Sequence, residues 1–148
     1  MLILLSKFSG MTYAQSFTEE KYSGIIWNYL EALSGFGPRY VGTRGYDNTL
    51  NLIRQVGAEF ADDVLEHPFV IKRHNGGKLK MTNIEFIFNG DVGGRPILVG
   101  AHYDTRPFAD QELKPELRGR PIIGANDGGS GTAVLLGLAR YLKENPSN

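Results

Sequence analysis

The sequence predicts an α/β domain in which a parallel or mixed sheet carries helices on each side. Three observations lead there. Apolar residues recur at helical spacing in two stretches near the N-terminus and in one near the C-terminus. Between them, Met81 to Phe88 alternates with the period of a strand, after a glycine-rich turn. Pro96 to Ala101 is apolar without alternation, the pattern of a strand covered on both faces.

The bounds come from size and composition. At 148 residues the chain has the length of one ordinary domain. Hydrophobic residues make up 41% and charged residues 22%, which excludes a disordered or membrane-embedded composition. Lys plus Arg and Asp plus Glu are equal at 16 each, so no electrostatic argument favours nucleic acid or an anionic membrane as partner. Cysteine is absent. Disulfides, thiolate metal sites and cysteine nucleophiles are thereby excluded, and any metal must be held by His, Asp or Glu.

In chain order, Met1 to Leu5 is apolar and Thr12-Tyr13-Ala14-Gln15 carries small residues of the kind signal peptidases prefer. The apolar core is short and no basic segment precedes it. Residues 1–15 read as the remnant of a signal peptide, which implies export to the periplasm or beyond, or as a disordered, loosely packed arm. Nothing in the chain is long and apolar enough for a membrane span.

Ser16-Phe17-Thr18-Glu19 has the form of a capping box. Tyr22, Ile25, Ile26, Tyr29, Leu30 and Leu33 follow at helical spacing, and Gly35, Gly37 and Pro38 end the helix. Trp27 is assigned to the core or to a pocket wall. A second helix is predicted over Gly45 to Phe60, with Leu50, Ile53, Val56 and Phe60 on one side and Gly57 as a weak point. Leu65 to Lys72 and Met81 to Phe88 form an edge hairpin about the turn Asn75-Gly76-Gly77. Asn89 to Gly94 is a turn before the apolar strand. Phe108 to Arg120 is a polar loop, a lid or a surface excursion. A last helix starts at Asp127 or Gly128, buries Val134, Leu135, Leu138, Ala139 and Leu142, and stops at Pro146.

The candidate chemistry lies at the carboxyl end of the apolar strand, where open α/β sheets bind ligands. His102 and Asp104 are two apart, so in an extended chain both side chains leave on one side. One imidazole nitrogen is then available to a metal, and Asp104 can orient the other. The competing reading is a satisfied strand-end histidine. Asp127 precedes a helix and can serve simply as its N-cap. Yet Gly124, Gly128, Gly129 and Gly131 surround it, more glycines than a helix start needs for its own stability. A phosphate cradle is disfavoured: Ser130 stands where a P-loop needs Lys, and Val134 where a dinucleotide fingerprint needs Gly. His67, His74, Asp110, Glu112 and Glu116 read as surface or loop residues.

Two motifs, in this order and at this separation, are specific. Ala101-His102-Tyr103-Asp104-Thr105-Arg106-Pro107-Phe108-Ala109-Asp110 and Gly124-Ala125-Asn126-Asp127-Gly128-Gly129-Ser130-Gly131 together resemble the M28 family of zinc-dependent aminopeptidases. The resemblance is to its bacterial glutaminyl-peptide cyclotransferase-like branch, which Gly37-Pro38-Arg39 and Thr82-Asn83-Ile84 also fit. It implies a three-layer α/β/α fold with a mixed, mainly parallel sheet, and it implies zinc. In the two-zinc aminopeptidases the position of His102 binds one zinc, that of Asp104 supports the catalytic site, and that of Asp127 bridges the metals. In the one-zinc cyclases the position of Asp127 is a ligand and the His-x-Asp pair becomes supporting structure.

The family completes its site with a Glu-Glu pair, a further acidic residue and a late His, none of which has a counterpart up to Asn148. Residues 16–148 therefore read as the N-terminal portion of a catalytic domain, inactive alone and with an exposed sheet face that invites association. The expected substrates of the complete enzyme are peptide or protein N-termini. The preferred reaction is cyclisation of N-terminal glutamine with release of ammonia. Hydrolysis of the N-terminal peptide bond is the alternative, and a non-catalytic M28-like binding domain is the second.

Overall fold

Helix α1 (Glu19–Gly35) and helix α2 (Arg44–Phe60) form where the apolar periodicity places them. The computed structural model describes residues 2–7, 19–90 and 95–146, so the proposed capping box ahead of α1 lies outside the described residues. In α1, Tyr22 and Leu33 are buried, while Ile25, Ile26, Tyr29 and Leu30 are half-buried. The helix packs chiefly against the C-terminal helix and leaves its other side to solvent. Trp27 falls on that outer side and is 60% exposed, which corrects its assignment to the core or a pocket wall. Thr43 caps α2, its Oγ1 accepting the Tyr46 N–H at 3.2 Å. The expected stripe of Leu50, Ile53, Val56 and Phe60 is buried. Gly57 is there for proximity: a Cβ on it would lie 2.5 Å from Phe86 Cε1.

Strands β2 (Asp63–Lys72) and β3 (Lys78–Phe88) form the predicted antiparallel hairpin, with β2 at the sheet edge. The edge position accommodates Pro68, which has no N–H to give to a ladder. Strand β1 (Leu2–Lys7) lies between β3 and β4 (Pro96–Ala101), so the sheet order is β2-β3-β1-β4. Of the stretch 1–15 read as leader remnant or loose arm, Leu2–Lys7 is this inner strand, and residues 8–15 lie outside the described residues.

The α/β class holds, but the sheet differs in detail from the expectation. Only β1 with β3 is parallel, whereas β1 with β4 and β2 with β3 are antiparallel, so the sheet is mixed rather than mainly parallel. Among the described residues, the helices that meet the sheet lie on one of its faces. Ile84, Phe86 and Phe88, alternate residues of β3, pack into one core with Tyr46, Leu50, Ile53, Val56 and Phe60 of α2 and with Leu135, Leu136 and Ala139. Among the described residues that arrangement makes two layers of the expected α/β/α fold, with α1 outside them. β4 is likewise not covered on both faces. It ends the sheet, and Ile97, Leu98 and Val99 are 48%, 62% and 39% exposed.

Helix α3 (Ser130–Glu144) carries Leu135 and Ala139 in the core as expected. Val134 turns out to solvent and Leu136 takes the buried place instead, because α3 is wedged between α1, α2 and the sheet rather than lying on one surface. No helix among the described residues is long and apolar enough to cross a membrane.

Candidate metal site

The site is built where β4 ends and where the chain turns into α3. Past Ala101 the chain leaves the strand, and its side chains alternate in burial: Tyr103 and Thr105 are buried, while His102 is exposed and Asp104 half-exposed. Tyr103 fixes this register. Its hydroxyl donates to the carbonyl of Thr82 at 2.5 Å and lies 3.3 Å from the Tyr46 hydroxyl. Burial, above all, holds its phenol well above the usual range, so it stays a neutral donor.

His102 has a defined orientation. Its Nδ1 lies 3.1 Å from the backbone carbonyl of Asp104 and 3.5 Å from the Asp104 carboxylate. A carbonyl only accepts, so Nδ1 carries the proton in that contact. Nε2 points the other way, 3.1 Å from Asp127 Oδ1. The imidazole is thus flanked by acceptors on both sides. A cation between Nε2 and Asp127, or a second ring proton, satisfies that arrangement. The first is the donor pattern of metal-binding histidines, whose second ring nitrogen is held by a carbonyl or carboxylate.

Asp127 is not an N-cap. The helix α3 starts three residues later at Ser130, its N-cap position is Gly129, and no side chain caps it. The turn from Ala125 to Gly129 instead aims the carboxylate at His102. Two glycines make this possible. Gly124 has φ +63° and a Cβ there would lie 2.5 Å from the Thr105 side chain. Gly128 has φ +84° and a Cβ there would lie 2.8 Å from His102 Cε1. The imidazole rests against bare backbone, which only glycine provides.

Neighbours missed by sequence reasoning tie the pieces together. Thr132, on the first turn of α3, donates through Oγ1 to the His102 carbonyl at 3.1 Å. Arg39 is fully buried beneath both loops; its backbone N–H donates to Thr105 Oγ1 at 3.0 Å and its carbonyl accepts from the Thr105 N–H at 3.2 Å. No local pattern signals either role, because each depends on chain segments far apart in sequence.

The structure brings His102, Asp104 and Asp127 together. Their side chains are 53%, 33% and 60% exposed, so the pair is open to a ligand. Among the described residues, no group of three His, Cys, Asp or Glu side chains converges as a metal site. His102 and Asp127 are the two such side chains that face one another at this place. The remaining sequence candidates stay outside: His67 pairs with Glu85 at 2.7 Å, Asp110 pairs with Arg106, and His74, Glu112 and Glu116 are exposed. The polar loop is closed at its base by the Ala109 N–H donating to the Arg120 carbonyl at 2.9 Å.

Known proteins share the sequence and fold of this region. The model of peptidase family M28 matches residues 82–148, which include β4, both motifs and α3. Aminopeptidase YwaD of Bacillus subtilis is 44% identical over 52 residues, 35% of this chain and 9% of that protein. The glutaminyl cyclase of Porphyromonas gingivalis superposes with a TM-score of 0.68 at 30% identity, over 85% of this chain and 43% of that one. A Zn-dependent exopeptidase from Parabacteroides distasonis has the same fold, with a TM-score of 0.67 at 23% identity over 84% of this chain and 42% of that one. The chain spans less than half the length of these relatives. Over residues 82–148 it carries the pattern of peptidase family M28, on a partial fold shared with bacterial glutaminyl cyclases and zinc exopeptidases.

Proposed function

We propose that this chain carries part of the metal site of a zinc enzyme acting on peptide N-termini, with His102 and Asp127 as zinc ligands and Asp104 as the group that sets the imidazole. The approach of His102 Nε2 to Asp127 Oδ1, at 3.1 Å, carries this reading. Two donors on one tetrahedral zinc stand about 3.3 Å apart, so the pair fits without rearrangement. The relatives' greater length supports a site completed by further donors, and the 148-residue chain is inactive alone on this reading.

The preferred reaction is cyclisation of N-terminal glutamine, supported by the 30% identity to a glutaminyl cyclase across most of this chain. The substrate's α-amine attacks its own γ-carboxamide carbon. The carbon–nitrogen bond of the amide breaks, and ammonia leaves with the proton shed by the amine. Zinc, when bound, polarises the γ-carbonyl for this attack. Asp104 holds the Nδ1 proton of His102 in place through its carbonyl and leaves Nε2 facing Asp127. The open face of the pair gives a peptide N-terminus access.

Hydrolysis of the N-terminal peptide bond on two zincs is the second reading, favoured by the 44% identical stretch shared with an aminopeptidase. The product discriminates between them: a cyclase yields the pyroglutamyl peptide and ammonia, a hydrolase the free N-terminal residue.

The test is mass spectrometry of a peptide with N-terminal Gln, incubated with Zn²⁺ and the chain extended through any coding sequence after Asn148, with the 148-residue chain as control. Loss of one ammonia from the intact peptide is the expected result. Release of free Gln establishes the hydrolase instead. An unchanged peptide moves the reading to a non-catalytic binding domain, and turnover by the 148-residue chain alone contradicts the incomplete site.

A further inference from the structure

We infer that Arg39 is the positioning residue of this site, its buried guanidinium clamping the loop of His102 and Asp104 to the turn of Asp127 so that the two donors meet. The inference rests on the reading of His102 and Asp127 as ligands, but its geometry stands by itself.

A guanidinium has five N–H donors, and each has a carbonyl to meet here. Nε donates to Tyr103 O at 2.8 Å, between His102 and Asp104. Nη1 donates to Ile123 O at 2.6 Å and reaches Leu33 O at 3.4 Å. Nη2 donates to Gly124 O at 2.8 Å and reaches Asp127 O at 3.5 Å. Three segments that share no strand or helix are thereby gathered on one planar group: the end of α1, the exit of β4 and the turn before α3.

Arg39 has no carboxylate within ion-pair distance among the described residues, although its side chain is fully buried. Burial lowers its pKa, and the charges of Asp104 and Asp127 act against that shift. A buried cation is retained at such a position only where something compensates it. Here the compensation is the oriented carbonyls together with the two acidic side chains of the site. The charge therefore lies below the cluster as well as the hydrogen bonds, and it steadies two carboxylates that sit near one imidazole. Lysine cannot replace it, because a single ammonium cannot span carbonyls on separate loops.

The test compares the parent chain with Arg39→Lys, which keeps the charge, and Arg39→Ala. Backbone hydrogen exchange is read without metal, and Co²⁺ uptake is read by its visible spectrum. In Arg39→Lys, the Thr105 and Gly129 amides are expected to exchange at least tenfold faster while those of α2 and the β2–β3 hairpin stay protected. Co²⁺ affinity falls at least tenfold, and added guanidinium ion restores part of it in Arg39→Ala. Unchanged loop protection in Arg39→Lys overturns the inference. Should the parent itself take up no Co²⁺, two donors do not hold the ion without the rest of the set, and the exchange data alone decide the role of Arg39. Should both variants fail to fold, exchange of the Arg39 Nε proton in the parent decides: slow exchange supports the clamp, and exchange at the rate of a solvated arginine refutes it.

Discussion

The imidazole of His102 is held less by what it bonds than by what is missing beside it. Gly128 sits at φ +84°, with its Cα facing the ring where any Cβ would come within 2.8 Å. Gly128→Ala meets two penalties together, a left-handed backbone worth about 1–2 kcal/mol and a ring that must move. The expected outcome is a loss of stability of that order in urea unfolding, with weaker Co²⁺ uptake because His102 is pushed away from Asp127. Retained Co²⁺ affinity would show that the ring's seat against the turn does not matter. The sequence singled out His102, Asp104 and Asp127 through their motifs, and the structure brings them together. The motif did not reveal that Asp127 faces His102 instead of capping α3. An aspartate before a helix has the same local signature in either role, and only the start of α3 at Ser130, three residues on, separates them.

Between elements, α1 is pinned to α3 by one carboxylate. Glu144 accepts from Lys21 at 2.6 Å, from Arg140 at 2.7 Å and from the Tyr22 hydroxyl at 2.8 Å. The hydrogen bond from Lys21, followed by those from Arg140 and Tyr22, pulls its carboxyl down to about 2. A depressed folded-state pKa stabilises the fold above the usual carboxylate range, and this contribution is lost as the pH falls through that range toward the folded value. The group is exposed, so the effect is small. Glu144→Gln is expected to be less stable than the parent at neutral pH and equal to it near a pH of about 2. A carboxyl carbon resonance of Glu144 that titrates in the ordinary glutamate range would refute the three-way contact. Helix α2 and the β2–β3 hairpin were legible in sequence because each buries one face with a clean period. Trp27 and Val134 were misplaced, and Leu136 left out of the buried stripe, for the complementary reason. Periodicity identifies a stripe, but the number of neighbours packed around a helix sets how wide that stripe is.

At the scale of the molecule, the sheet ends in an apolar edge. Ile97, Leu98 and Val99 are exposed along β4, whose outer backbone has no partner strand among the described residues. Such an edge is a template for pairing. The chain is expected to associate as its concentration rises, and Leu98→Lys to reduce that association in light scattering without altering the unfolding transition. Equal association in both proteins would place the contact elsewhere.

Sequence alone determined the kinds of element, the hairpin, the α/β class and the motifs that carry the candidate chemistry. All of these are local: they need only the side-chain period, the turn residues and a short run of characteristic neighbours. Tertiary structure decided which element lies beside which. It placed Leu2–Lys7 inside the sheet, left β4 at the edge and put the helices that meet the sheet on one face. It also turned Arg39, noted in the sequence only as part of Gly37-Pro38-Arg39, into the group that joins Tyr103, Ile123 and Gly124. Hydrogen bonds between residues more than sixty positions apart leave no mark on local composition, because what brings the partners together is the burial of apolar faces by the whole chain.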